Sequence, residues 1–438
     1  GPLGRPVALA SFVLDGTDWP TAAQPFKLTN LWVHLLTGLA LCWATLNLLR
    51  LWDVDEGQAR WAAVLNMAFW LLHPYMVSTT LYVVQRMAQL AALFMFAGLA
   101  GYLRGRILLR QGQARAGYAW MSASLVLGTL LAAFSKENGL LLPLLVLVVG
   151  FCLPAGAAGA QRRPDWRWRA LFLWLPTAAL FAALSTKINL APDAWATRPF
   201  NQVQRLLTEP RILWEYLYHL YVPRIEGRGL FQDGYRFSTG LLQPASTLAS
   251  ILGLAGLFGG AIWVRHRWSW GPYVALAVLF FLAAHLMESS LVGLELYFEH
   301  RNYVAAAFLF LPLVMGLLWV AQHRSRLVGI AALVTTLLLL SGLTWQRSTL
   351  WSHTEALQTH WAVATPNSPR AQNHLARQIL HRGDTAGAID FLDSAMQRLP
   401  DTTVYFVRDL GTGFTLEAAH VKAGRLQAAE RARRQVEA

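Results

Sequence analysis

The chain is 438 residues long, 55% hydrophobic and 14% charged, with 19 tryptophans and a formal net charge of +13. Soluble chains carry roughly a quarter charged residues, so this composition excludes an ordinary soluble domain and indicates an integral, multi-pass membrane protein. The positive charge does not point to nucleic acid, because most Lys and Arg lie in short loops between apolar runs, the topology signature of a membrane protein.

The sequence opens on Gly1-Pro-Leu-Gly4 and passes directly into Arg5-Pro6, without an initiator Met or an apolar leader. It reads as a fragment that has lost upstream sequence, with residues 1–27 the remainder of a first exterior loop. Apolar runs follow at about 29–49, 60–74, 87–104, 118–134, 140–153, 168–186, 246–264, 271–287, 304–321 and 327–345. A spanning helix needs ~20 residues, so 60–74 and 140–153 are short, and the expectation is an all-α membrane domain of about ten spans over 28–345. Cys42 and Cys152 lie inside apolar runs, which argues against a disulfide framework or a metal cluster.

Orientation follows from the Lys/Arg bias. One set of short loops carries Arg50 and Arg60; Arg104, Arg106, Arg110 and Arg115; Arg162, Arg163, Arg167 and Arg169; Arg265 and Arg267; and Arg324 and Arg326. The alternate short loops carry only Arg86, Lys136 and Arg301. The first set is expected to be cytoplasmic. The N-terminal segment, the loop at 187–245, the stretch 288–303 and the C-terminal tail then face the exterior, the periplasm if the membrane is a bacterial inner membrane. The 187–245 loop is too long for a simple connector. It contains Arg211-Ile-Leu-Trp-Glu-Tyr-Leu-Tyr-His-Leu-Tyr221 before Pro223, a pattern suited to an interfacial helix with Trp214, Tyr218 and Tyr221 at the headgroups.

Past the last run the composition turns polar and helix-forming. Between Pro366 and Pro400, Leu375, Ala376, Gly383, Ala388, Leu392 and Ala395 occupy the small and apolar positions of a tetratricopeptide repeat, and Leu416, Gly424 and Ala429 make a weaker copy. Residues 346–438 are therefore expected to form an exterior tetratricopeptide-repeat domain that docks on the membrane domain or continues past Ala438.

The densest charge beside the spans is Glu288-Ser-Ser-Leu-Val-Gly-Leu-Glu295-Leu-Tyr-Phe-Glu299-His300-Arg301-Asn302-Tyr303. Read as a helix, it puts Glu288, Glu295, Glu299 and Asn302 on one side, and carboxylates at membrane depth point to a polar cavity. Arg86, Lys136 and Arg301 supply donors suited to a phosphate or pyrophosphate. Glu137, Glu295 and Glu299 are then bases for an acceptor hydroxyl or partners that orient those cations. Asp15 and Asp18 complete the exterior set. The competing reading is ion pairing that stitches helix ends together. There is no P-loop, Rossmann glycine pattern or zinc signature, and His73, His285 and His300 show no metal spacing.

In order, Arg5-Pro6, Lys27-Leu-Thr-Asn30-Leu-Trp-Val-His34, Leu72-His73-Pro74 with Gln85-Arg86, Ser135-Lys136-Glu137 before Pro143, and Glu299-His-Arg301-Asn-Tyr303 before Leu311-Pro312 precede the repeats. This order resembles multi-spanning glycosyltransferases of the GT-C fold with C-terminal tetratricopeptide repeats. That group includes the transmembrane and tetratricopeptide-repeat O-mannosyltransferases of the endoplasmic reticulum and their bacterial relatives. The resemblance implies a lipid-phosphate-linked sugar as donor, transfer on the exterior or lumenal face, and a protein or glycan acceptor engaged by the repeats. It also implies a catalytic acid in the first exterior loop, upstream of Gly1; Asp15 and Asp18 lie later than that position. Arg86, Lys136, Glu137, Glu299 and Arg301 match motif positions and are expected at the donor pocket, with Glu295 and His300 beside them. No cofactor is assigned, and a divalent metal is compatible with the reading. Two other classes fit the sequence: an O-antigen ligase or polymerase using a diphosphate-linked lipid, and a non-catalytic membrane-anchored repeat scaffold.

Overall fold

A computed structural model describes residues 3–16, 21–153, 164–189, 195, 198–224, 230–232, 235–398, 413–425, 427–429 and 432. Asp18 and Pro400 lie outside the described residues. Every named element is helical. In chain order they begin with a short α1 (Pro6–Val13), followed by α2 (Ala23–Leu51), α3 (Glu56–Leu71), α4 (Val77–Leu81), α5 (Arg86–Arg110), α6 (Ala114–Ser135) and α7 (Leu142–Cys152). Next come α8 (Trp166–Arg169) and α9 (Leu175–Ser185), joined by a π-turn, then α10 (Gln202–Tyr221), α11 (Ser246–Val264) and α12 (Gly271–His285). The chain continues through α13 (Asn302–Ala305), α14 (Leu311–His323), α15 (Arg326–Ser352), α16 (Thr354–Ala364), α17 (Pro369–His381), α18 (Thr385–Arg398) and α19 (Gly413–Lys422).

All ten apolar runs emerge as helical segments, but their lengths differ from the expectation of about ten spans. Among the described residues, 6 helices are long and apolar enough to cross a membrane: Ala23–Leu51, Val83–Arg110, Ala114–Ser135, Trp166–Ser185, Ser246–Val264 and Arg326–Ser352. Glu137–Cys152, Gly271–His285 and Leu311–His323 are shorter apolar helices, and α3 has 16 residues. Loop contacts such as Arg110–Asp53 and Arg265–Leu153 O on one hand, and Lys136–Glu288 and Arg370–Glu295 on the other, mark two chemically distinct ends. The lower end carries the loops with Arg50, Arg110 and Arg265. The upper end gathers Arg86, Lys136, Glu137, α10, the 288–303 stretch and the C-terminal helices.

Small residues set the closest helix crossing. On α5, Gly98, Gly101 and Gly105 face Gly128, Ser124 and Gly117 of α6, and a Cβ added at Gly105 would lie 2.7 Å from the Gly117 carbonyl oxygen. Close backbone approach replaces the missing hydrophobic drive between helices in an apolar surround. The sequence expects one unbroken run over 304–321; instead the helix stops at Ala305 and resumes at Leu311, just before Pro312. Side chains of other elements satisfy the carbonyls freed at this break. Trp70 Nε1 donates to Tyr303 O (3.0 Å), Asn66 Nδ2 to Ala307 O (3.0 Å) and the Tyr221 hydroxyl to Leu309 O (2.8 Å). Irregular backbone within a bundle persists only where protein groups supply such partners.

The C-terminal helices form a small apolar core of their own. Ala376, Ile389, Leu392, Leu416, Ala419 and Ala432 are buried in it, with Ala388 and Ala395 also buried and Leu375 partly so. Gly383 (φ 90°) and Gly424 (φ 73°) adopt left-handed conformations just past α17 and α19, where other residues are strained. Trp351, Leu357, Trp361 and Ala371 pack with Val77 and bring this unit against the upper end.

Candidate functional site

The upper end is organised by α10. Asn201 caps it in a reciprocal capping box with Gln204, so the helix starts at Gln202, nine residues before the Arg211–Tyr221 stretch read from the sequence, and passes through Pro210. Gln202, Arg205, Thr208, Glu209, Ile212, Tyr216 and Leu220 recur at helical spacing and are buried, while Trp214, Tyr218 and Tyr221 are exposed. The inward face is thus partly ionic.

Arg205 fixes the 288–303 stretch. Its guanidinium donates to the carbonyl oxygens of Glu288 (2.6 Å), Ser290 (3.2 Å), Leu294 (2.5 Å) and Glu295 (3.1 Å) and meets Glu209 Oε1 at 2.7 Å. Helical carbonyls align along one axis, so carbonyls converging on one guanidinium require a loop. The helix expected here is absent: the segment is irregular until a 3₁₀ turn at Glu299–Arg301. Glu288, Glu295 and Glu299 therefore do not share a helical face and leave the loop toward different partners. Burial pushes the Glu209 carboxyl up, against the opposing pull of Arg205 and Arg301.

Apart from His300, the described acidic and basic residues expected at the donor pocket each have a partner of opposite charge or a carbonyl. Lys136 Nζ meets Glu288 Oε1 at 2.5 Å with both side chains buried. Burial alone would raise Glu288, but the cations, Lys136 first and then Arg301, prevail and hold it at about 2. Arg86 is buried, donates to Asn30 Oδ1 (2.7 Å), Ser11 O (2.7 Å) and Phe26 O (2.9 Å), pairs with Asp15, and lies over the Phe12 ring. Asp15 also accepts from Thr29 (2.8 Å). Glu137 pairs with Arg5 (2.8 Å), and Glu295 accepts two bonds from Arg370 (3.1 and 2.7 Å). Arg301 donates to the carbonyls of Leu296 (2.6 Å) and Glu295 and lies 3.7 Å from Glu209.

Glu299 and His300 differ in lining narrow crevices. The Glu299 carboxylate accepts from Ser78 Oγ (2.7 Å) and pairs with Arg347 (2.5 Å), whose other nitrogen donates to Pro74 O (3.1 Å). It stands between two narrow crevices. One is walled by His73, Tyr75, His219, Arg224, Tyr297 and Arg347, the other by Ser78, Tyr82, Gln85, Leu230, Phe298 and His300. The Tyr75 and Tyr297 hydroxyls bond each other at 2.7 Å in the first wall. The His300 ring stacks on Phe298 (4.9 Å between centroids) and makes no side-chain hydrogen bond among the described residues. Burial first, and then the Lys136 cation, pushes its imidazole well below the ordinary 6.5, so it is neutral at pH 7.

Arg86, Asp15, Glu137 and Lys136 sit at the same end as Glu299 and His300 but do not line these crevices. Sequence reading missed Arg205, Glu209, Arg347 and Arg370. The available signal for the first two was polar residues one turn apart on the face that also carries Ile212 and Tyr216. For Arg347 it was a cation just past an apolar run. Among the described residues no group of three or more His, Cys, Asp or Glu could hold a metal ion. No family model matches this chain, and no curated protein or solved structure matches it either.

Proposed function

We propose that the chain is a membrane glycosyltransferase that moves a sugar from a polyprenyl-phosphate carrier to a protein or glycan acceptor on the exterior face. The observation that carries this reading is the gathering of carboxylates and cations at one end of an apolar helical bundle, with Glu299, Arg224, Arg347 and the neutral His300 lining its crevices. Inverting transfer needs a base for the acceptor hydroxyl and electrostatic support for the departing phosphate. His300, neutral and without a side-chain hydrogen-bond partner among the described residues, is free to accept a hydrogen bond from an acceptor hydroxyl at the crevice. Arg347 and Arg224 line the other side and supply positive charge. In this reading the bundle is of GT-C type, and α16–α19 act as tetratricopeptide-type helices that hold the acceptor.

The test uses the full-length protein in lipid nanodiscs with a panel of polyprenyl-phosphate hexoses and their diphosphate-linked counterparts. Release of polyprenyl phosphate, lost in His300→Gln, is the expected result. Turnover of diphosphate donors alone would move the assignment to a ligase or polymerase. Turnover of neither would favour a membrane-anchored scaffold, a reading supported by the paired state of Arg86, Lys136, Glu137 and Glu295.

A further inference from the structure

Two cations at the upper end are held weakly or not at all by the described ionic network. Lys187, just past α9, makes no side-chain hydrogen bond or ion pair among the described residues. The Arg198 side chain makes no hydrogen bond there and forms only a long ion pair, 3.9 Å from Glu295. Arg5, Arg86, Lys136, Arg205, Arg301 and Arg347, by contrast, each meet a carboxylate. Lys187 and the loosely paired Arg198 line one open cleft of about 330 Å³ together with Thr186, Asn189, Trp195 and Gly293. At Gly293 a Cβ would come within 3.2 Å of the Trp195 ring, so the loop backbone lies close against the indole and forms a flat wall. Two cations in a concave site that also carries hydroxyl and amide groups are suited to an oxyanion of the phosphate class.

Glu295 decides how positive that cleft is. Its carboxylate stands between Arg198 and Arg370 of α17, and Arg370 takes both oxygens at 3.1 and 2.7 Å. Arg370 is itself held over the Phe231 ring (5.2 Å), and Phe231 packs edge-on against Trp361 and stacks on His374. The clamp on Glu295 therefore exists only while the C-terminal helices are docked. Undocked, Glu295 has Arg198 as its remaining cation and neutralises half of the cleft.

We propose that the Lys187–Arg198 cleft is a phosphate-class oxyanion site whose affinity is set by docking of the C-terminal helical unit through Arg370 and Glu295. The inference does not depend on sugar transfer. Because the cleft opens where α9 ends, the expected source of the anion is a lipid phosphate headgroup.

Inorganic pyrophosphate titrated by calorimetry into the full chain in phosphatidylcholine nanodiscs tests this. Wild type binds, Lys187→Met/Arg198→Met does not, and Arg370→Ala weakens binding about tenfold, within the usual range of coupling between sites. Glu295→Gln binds at least as tightly as wild type, and adding Arg370→Ala to it changes nothing further. That last variant separates loss of the clamp from damage to the helical unit. Unchanged affinity in Arg370→Ala, a double variant as weak as Arg370→Ala alone, or binding that survives Lys187→Met/Arg198→Met each overturns the proposal. Nanodiscs containing phosphatidic acid identify the source: displacement of pyrophosphate assigns a lipid headgroup, and retention assigns a soluble phosphate to the same site.

Discussion

Replacing Lys136 with methionine keeps the volume of the side chain and removes its charge, leaving Glu288 buried without its nearest cation. The pair is close (2.5 Å) and its side chains are only 9% and 8% exposed, so solvent cannot take over the role of the ammonium. Removing one partner of such a pair costs about 3–5 kcal/mol. The electrostatic state of Glu288 gives a similar figure. A fall from 4.5 to about 2 corresponds to roughly 3 kcal/mol of preference for the ionised form, only part of it from Lys136. Glu288→Leu alone strands the lysine at comparable cost, whereas Lys136→Met/Glu288→Leu approaches wild type, because a well-packed apolar pair often replaces a buried ion pair without loss. The assay is reversible unfolding in mixed micelles by increasing detergent denaturant, followed by tryptophan fluorescence. Single variants that each cost less than about 1 kcal/mol, or a double variant equal to their sum, would refute the reasoning by showing an interaction in the range of an exposed pair.

Acid should destabilise the protein in two windows. His300 has a folded pKa below 6.5, so the unfolded chain binds its proton first and stability declines as pH falls below 6.5. Glu288, depressed to about 2, contributes fully above 4.5 and loses that contribution as pH falls toward 2. Unfolding midpoints of His300→Gln and Glu288→Gln against pH check the windows separately, and an unaltered profile in either variant removes that group from the account. Arg205→Lys forfeits at least two of four bonds to loop carbonyls, a loss of roughly 3 kcal/mol or more at typical charged-bond values. Hydrogen exchange of amides 288–298 should accelerate selectively, and uniform protection would show that the loop does not need Arg205. Gly105→Ala drives a Cβ to 2.5 Å from Met121 Cγ and costs about 1–3 kcal/mol. Gly150→Ala meets nothing within 4 Å and gains up to about 1 kcal/mol of helix propensity; equal effects in the two thermal melts would disprove the close α5–α6 crossing.

Much of this architecture was legible because it depends on local composition. Apolar runs become helices whatever their partners, and Arg-rich loops mark one end of the bundle by their alternation. The pairing of small residues that buries Ala376 and Ala388 is likewise a short-range pattern. What escaped was set by distance along the chain. Glu299 and Arg347 are 48 residues apart, and Arg205 lies 83 to 90 residues from the carbonyls it gathers. The 288–303 stretch has charges at plausible helical spacing, and the distant Arg205 and Gln202, with Arg301, explain why it is a loop. Pro210 concealed the first half of α10, although Asn201 and Gln204 form a capping pair that a search for helix starts would find.

The helix α15 passes without interruption from the apolar bundle to the C-terminal helices. Its 27 residues at ~1.5 Å each make a rod of about 40 Å. Arg347 sits near one end of this rod, a turn before Trp351, which packs against the C-terminal unit. A stiff rod does not absorb rotation along its length. Any tilt of the C-terminal unit is therefore delivered whole to the guanidinium that grips Glu299, making α15 a mechanical link between whatever the outer helices hold and the width of the Glu299 crevices.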